Sequence, residues 1–107
     1  MYSKNEILQK SILNIADQFD ISTLQLTKIL EVKDILQIVD GSKEAESAIM
    51  LIHIYKKLYS LTNGDVNAIR IFIHSNNKLI NAIPLDVLQT QDGLTTVFEL
   101  LKFFQNY

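Results

Sequence analysis

The stretch Ser42–Leu61 limits the folds available to this chain more than any other feature. It reads SKEAESAIMLIHIYKKLYSL, and His53 is the only polar side chain between residues 48 and 55. At helical spacing its apolar residues form two adjacent stripes that cover about half of the circumference. The first stripe consists of Ala45, Ala48, Ile52, Tyr55 and Tyr59, and the second of Leu51, Ile54, Leu58 and Leu61. Such a helix needs cover on two sides, so we predict that the segments before and after it both pack on it.

The composition favours a single all-α domain. A chain of 107 residues buries about two thirds of its unfolded surface, which is enough for a hydrophobic core without disulfides or metals. Three glycines and one proline leave few positions that interrupt a helix. We predict an N-terminal unit at 1–41, a central helix at 42–61 that both units share, and a C-terminal unit at 62–107.

Cysteine usage and hydropathy indicate a cytoplasmic protein. The sequence contains no cysteine, and its start, MYSKNEILQK, has no uninterrupted apolar run of the kind found in secretory signals. The longest apolar run, around residues 48–55, is far too short to cross a bilayer. A net charge of −2 argues against binding nucleic acid or membranes mainly by electrostatics, although it leaves room for a local basic patch.

Two capping boxes position the first helices. Ser3 is followed three residues later by Glu6, and Ser22 is followed at the same spacing by Gln25. The apolar spacing extends each helix, and a third one is expected before Asp40 and Gly41. The predicted helices run from about Lys4 to Phe19, from Ser22 to Leu30 and from Lys33 to Val39.

Three short helices with a tight connection between the second and third have the outline of a helix-turn-helix unit. The turn position that commonly holds Gly is Glu31 here, at a cost of about 1 kcal/mol for a left-handed conformation. The segment from Asp20 to Lys43 contains three lysines and four acidic residues. Its net charge of −1 has the wrong sign for binding the negatively charged DNA backbone. A scaffold or a homodimer surface is therefore favoured, and a transcriptional regulator that binds DNA through residues 22–40 stays the alternative. The residues that would contact DNA are Thr23, Lys28, Lys33, Gln37 and Lys43.

The C-terminal part predicts three more helices. Asp65 and Asp92 precede two of them as N-caps, and Pro84 opens a short one between them. The predicted spans are Val66 to Ser75, Pro84 to Leu88 and Gly93 to about Gln105. His74 is expected on the solvated outer side of its helix.

The residue inventory predicts no enzyme. There is no cysteine nucleophile, no glycine-rich phosphate loop and no histidine with a second imidazole or carboxylate at ligand spacing. The acidic residues lie mostly at helix starts, where capping accounts for them. We expect no catalytic residue, no metal and no cofactor.

The run from Ala68 to Leu101, AIRIFIHSNNKLINAIPLDVLQTQDGLTTVFELL, holds an ordered series of features. These are the pair Phe72 and Ile73, then Asn77, then Ile80, then the turn opened by Pro84 and Leu85 and ended by Thr90, and finally the pair Asp92 and Gly93. Their order and spacing resemble, without gaps, the toxin-binding domain of the Xre/MbcA/ParS family of bacterial type II antitoxins. The upstream helix-turn-helix-like unit and central helix also fall where that family has them.

The chain departs from the family's pattern in the loop before Pro84. Asn76 stands where the family usually has Pro, and Asn81 and Ala82 stand where it has two glycines. Asn81 is able to adopt a left-handed turn, whereas Ala82 does so less readily. We therefore expect a loop of different shape from the family's.

The resemblance implies an antitoxin whose partner is a RES-domain toxin, an enzyme that consumes NAD or transfers its ADP-ribose. It further implies that the C-terminal unit covers the toxin's NAD cleft. Phe103 points away from the predicted core stripe of the last helix, which is typical of an interface anchor, although an aromatic tail that folds back or pairs with a second copy is the open alternative. The candidate toxin-binding residues are Asn77, Lys78, Asn81, Gln89, Gln91, Lys102, Phe103, Gln105 and Tyr107.

Overall fold

The computed structural model describes residues 2–105, except for the side chain of Gln105, and it is all-helical, which confirms the predicted fold class. Six α-helices follow one another in the order α1 Lys4–Phe19, α2 Thr23–Leu30, α3 Lys43–Thr62, α4 Val66–His74, α5 Pro84–Leu88 and α6 Gly93–Gln105. A three-residue 3₁₀ helix, Ile35–Gln37, lies between α2 and α3. The described residues contain no strand, and their one isolated β-bridge joins Asn77 to Ala82.

Local capping explains where the first helices begin and end. Both predicted capping boxes form, since the Ser3 and Ser22 hydroxyls accept the backbone N–H groups of Glu6 and Gln25, respectively. Helices α1, α2 and α3 then end at residues in the left-handed conformation, namely Asp20, Glu31 and Asn63. The predicted bounds of all six α-helices are therefore confirmed to within one residue.

The helix predicted from Lys33 to Val39 is wrong. The Asp34 carboxylate accepts the N–H of Leu36 at 2.9 Å, and the Gln37 side-chain oxygen accepts the N–H groups of Lys33 and Asp34. These side chains satisfy backbone donors that an α-helix would leave free or use otherwise, so they compete with helix formation. The segment makes only one 3₁₀ turn, which places Ile35 and Ile38 on its buried side.

Helix α1 also holds this segment in place. The Gln9 side-chain amide donates to the carbonyl of Ile38 at 3.1 Å, and the Asn5 side-chain oxygen accepts the N–H of Asp40 at 2.7 Å. Because those backbone groups already have partners on α1, they are not available to continue a helix.

Helix α3 lies at the centre of the core, with α1 and α6 packed against it, as the apolar stretch predicts. Its buried side chains form one stripe, which consists of Ala45, Ala48, Leu51, Ile54 and Leu58. The two predicted apolar stripes are covered only in part, because Tyr59 and Leu61 are exposed near the end of the helix. One continuous core cluster includes residues from the N-terminal segment, α3 and the C-terminal segment.

Helix α6 runs beside α3 in the same direction. Met50 and Leu94 line one groove near the beginning of the two helices, while the side chains of His53 and Lys57 both contact the ring of Phe98 further along. The macrodipoles of parallel neighbours are unfavourably aligned. Acidic side chains at the helix starts and lysines towards the ends offset part of that repulsion, and the residues concerned are Glu44, Glu46, Asp92, Lys56, Lys57 and Lys102.

Candidate protein-binding site

The loop between α4 and α5 folds into a small, ordered projection. The backbone N–H of Asn77 donates to the carbonyl of Ala82 at 2.8 Å, and the reverse hydrogen bond measures 3.3 Å. The Asn77 side chain is turned inward along the loop, because its oxygen accepts the N–H of Leu79 at 2.9 Å. Asn81 has a φ of 52°, which confirms that it adopts the left-handed turn. Asn77 therefore shapes the loop, while Asn81 and Lys78 are exposed on it.

Leu79 at this loop is a binding candidate that sequence reasoning missed. Its side chain is 58% exposed although it is apolar, and it lies beside the exposed Lys78. The available signal was an aliphatic residue inside the polar run SNNKLIN, where no helical stripe could bury it.

The turn between α5 and α6 is held by short-range contacts. The Gln89 amide donates to the carbonyl of Leu85 at 3.1 Å, and the Thr90 hydroxyl donates to the carbonyl of Val87 at 2.6 Å. Asp92 enters α6 from a left-handed conformation with φ of 61°. Gln89 thus supports the turn, whereas Gln91 is exposed on it.

An open groove of about 300 Å³ lies where α2, α3 and the start of α6 meet. Its floor is apolar and its rim is charged. The floor includes Ile29, Met50 and Leu94, and the rim includes Glu31, Lys43, Glu46 and Asp92. The groove brings together Gln91 and Lys43, which the sequence assigned to two different kinds of partner.

A cationic cluster surrounds the half-buried ring of Phe98 further along α3 and α6. The Lys57 and Lys102 ammonium groups lie 5.2 Å and 5.8 Å from the ring centre, within the range of a cation–π interaction. The ring of His53 meets Phe98 edge-on at 6.5 Å. Lys102 also pairs with Glu99 at 3.7 Å, an exposed ion pair that contributes little to stability.

Phe103 lies on the outward side of α6, as predicted. Its side chain is 47% exposed, although it makes an edge-on contact with Phe104 at a ring distance of 6.1 Å. Lys102 lies next to it and is also exposed. Among the other predicted binding residues at this end, Tyr107 and the side chain of Gln105 lie outside the described residues.

The residues assigned to DNA contact are not presented by one helix. Thr23 and Lys28 are exposed on α2, Lys33 lies in the following loop and Lys43 begins α3. Gln37 caps the 3₁₀ helix through its side-chain oxygen. Residues 33–39, the predicted recognition helix, form only a 3₁₀ turn. The chain therefore has no α-helix at this position to insert into a DNA groove.

No protein-family model matches the sequence, and no curated protein matches it. Within residues 2–105, no group of three or more metal-ligating side chains is arranged to hold a metal ion. No helix in that same part of the chain has the length and apolarity required to span a membrane.

Proposed function

We propose that this chain is a bacterial antitoxin that binds a RES-domain toxin in the cytoplasm and covers the toxin's NAD cleft without performing chemistry itself. The observation that carries the proposal is the outward face of α6, where a 47% exposed Phe103 lies beside an exposed lysine. Aromatic side chains with a polar surround are typical anchors of protein interfaces. The resemblance of residues 68–101 to antitoxin toxin-binding domains supplies the class of partner.

The loop between α4 and α5 supports the same function. Leu79 and Lys78 project from a backbone that hydrogen bonds and an Asx turn already hold in one shape. A loop ordered in advance loses less conformational entropy on binding than a mobile one. This loop and the α6 face are therefore the surfaces that we assign to toxin contact.

The direct test is co-expression of the tagged chain with the product of each adjacent gene, followed by affinity purification and a measurement of NAD. We expect a RES-domain enzyme to co-purify with the chain, and its consumption of NAD to fall to background in the complex. Failure of every RES-domain neighbour to co-purify, or undiminished NAD consumption in the complex, would remove the proposal.

Replacing the anchor tests the assigned surface. We expect Phe103→Asp to weaken toxin binding at least roughly tenfold in a titration, because it removes a buried aromatic contact and places a charge in the interface. The helical circular dichroism should stay unchanged, since Phe103 is largely outside the core.

Leu24→Asp is the matched control for this substitution. Leu24 is also an exposed apolar residue, but it lies in the first turn of α2, where an acidic residue is tolerated. Equal loss of affinity in both variants, or no loss in Phe103→Asp, contradicts the assignment of the interface to α6.

A further inference from the structure

The side of α3 that faces away from the core carries a stripe of exposed residues with an internal symmetry. Glu46, Ile49, His53 and Lys56 are all exposed, and they follow one another at spacings of three and four residues. This is the spacing of a helix seam that pairs with another helix. The stripe lies opposite the buried one formed by residues 45, 48, 51, 54 and 58.

The residues of the stripe are placed symmetrically about Leu51, with opposite charges at its two ends. Glu46 and Lys56 lie at equal sequence distances from Leu51, and so do Ile49 and His53. When two copies of α3 lie antiparallel with a two-fold axis at Leu51, each Glu46 meets the Lys56 of the second copy. Each Ile49 then packs on the His53 of the second copy. The charges lie about 15 Å apart along one helix, so the two ion pairs form at opposite ends of the contact.

We propose that this stripe is a homodimer interface in which α3 pairs antiparallel with α3 of a second copy. Charge complementarity favours a second copy of the chain in the antiparallel orientation, because each Glu46 then faces a Lys56. A parallel arrangement would instead place Glu46 against Glu46 and Lys56 against Lys56. Ile49, with 44% of its side chain exposed, supplies the apolar contact near the axis. The net charge of −2 per chain causes only weak repulsion between copies.

The surrounding surface is compatible with this pairing. No acidic residue occurs in the sequence between Glu46 and Asp65, so α3 itself carries no acidic side chain near Lys56. Ser42 and Ser60 extend the stripe at its two ends with small side chains that allow close approach. One helix pair of this length buries less area than a stable dimer needs, so the dimer forms only at high protein concentration.

The test is sedimentation velocity of the full chain over a concentration series from about 10 µM to about 1 mM. We expect the wild type to associate reversibly, and Glu46→Lys or Lys56→Glu to weaken association roughly tenfold, because each replaces two attractive pairs by two repulsive ones. The double variant Glu46→Lys/Lys56→Glu restores both pairs with exchanged signs, and it should recover wild-type association.

Glu44→Lys is the matched control, because it makes the same charge change in the same helical turn but on another side of α3. We expect it to associate like the wild type. A wild type that stays monomeric at the highest concentration, single variants that associate normally, or a double variant that fails to recover each overturn the proposal. A monomer that still neutralises the toxin would refute this pairing and leave the proposed antitoxin function intact.

Discussion

At the scale of single residues, position 93 has no room for a side chain. A Cβ atom added to Gly93 would lie 1.7 Å from the carbonyl oxygen of Val87, so the first residue of α6 passes directly over the end of α5. This close approach is the physical reason for the glycine of the Asp92–Gly93 pair. The glycine is required by packing, and the left-handed residue that precedes it is Asp92.

We expect Gly93→Ala to lower the free energy of unfolding by about 3 kcal/mol, because backbone atoms of Val87 and not a flexible side chain would have to move. Urea unfolding followed by circular dichroism measures the change. Gly41→Ala is the control, since Gly41 has a positive φ but no atom within 4 Å of an added Cβ. That substitution should cost only about 1 kcal/mol, from the left-handed conformation alone. Equal stability of Gly93→Ala and the wild type would show that α5 and α6 are not in this close contact.

At the scale of elements, α4 caps the end of α1. The Arg70 guanidinium donates to the carbonyls of Gln18 at 3.0 Å and Asp17 at 3.1 Å, and the His74 Nε2 lies 2.8 Å from the carbonyl oxygen of Phe19. Because a carbonyl oxygen can only accept a hydrogen bond, this ring nitrogen carries the hydrogen and donates the hydrogen bond. His74 is exposed on the outer side of its helix, as predicted, but its ring also makes this contact with the end of α1, which the sequence did not predict.

This contact matters because α1 has no basic residue in its own last turn. The final carbonyls of a helix lack intrahelical partners and carry the negative end of its dipole. Two side chains one turn apart on α4 contact three of them, and they also fix the crossing of α1 and α4. The Asp17 carbonyl also accepts the N–H of Asp20, so the contacts from α4 add to the local left-handed cap and supply the positive charge that the last turn of α1 lacks.

We expect Arg70→Met to lower the free energy of unfolding by about 1–2 kcal/mol, since it removes two hydrogen bonds with a charged donor while keeping most of the aliphatic stem. Arg70→Lys should lose less, because it keeps the charge but not the planar fork. Lys28→Met removes an exposed cation from α2 and is expected to change stability very little. Chemical denaturation of the three variants decides this, and an Arg70→Met protein as stable as Lys28→Met would contradict the capping role.

At the scale of the whole molecule, one core joins all three sequence segments. Phe19 of α1 packs against Tyr55 of α3 with ring centres 6.0 Å apart, and the same core includes Ile73 and Leu101 from the C-terminal segment. Helix α4 packs directly on α1, so the first and last parts of the chain also touch each other. Helix α3 is contacted both by α1 and α2 of the N-terminal segment and by α4 and α6 of the C-terminal segment.

We therefore expect the isolated fragment 1–61 to lack a stable fold, because it would lose the packing of α4 and α6 on α3 and of α4 on α1. The full chain should instead unfold in a single cooperative transition. Heteronuclear NMR spectra of both proteins and calorimetry of the full chain provide the measurement. A fragment with well-dispersed amide resonances would show that the N-terminal unit is an independent domain.

Most of the helix bounds follow from the amino-acid sequence alone. The capping boxes at Ser3 and Ser22, the left-handed end at Asn63 and the proline at the start of α5 act within a few residues of chain, so they can be recognised locally. The exposure of Phe103 on α6 was likewise predictable, because helical periodicity alone decides which residue lies opposite the core stripe. The all-α fold follows from the sum of these local signals.

The features that depend on partners distant in sequence are set by tertiary packing. The segment 33–39 has the pattern of a helix, but the Asp34 and Gln37 side chains take its backbone N–H groups locally and Gln9 of α1 takes the Ile38 carbonyl, so only a 3₁₀ turn forms. The contact of His74 with the end of α1 could not be predicted, because its partner lies far away in the sequence. The outward side of α3 could not be assigned from periodicity, because its apolar arc is wide and only part of it is buried. Local hydrogen bonds set where helices start and stop, whereas the choice of which face is covered is made by the packing of the whole chain.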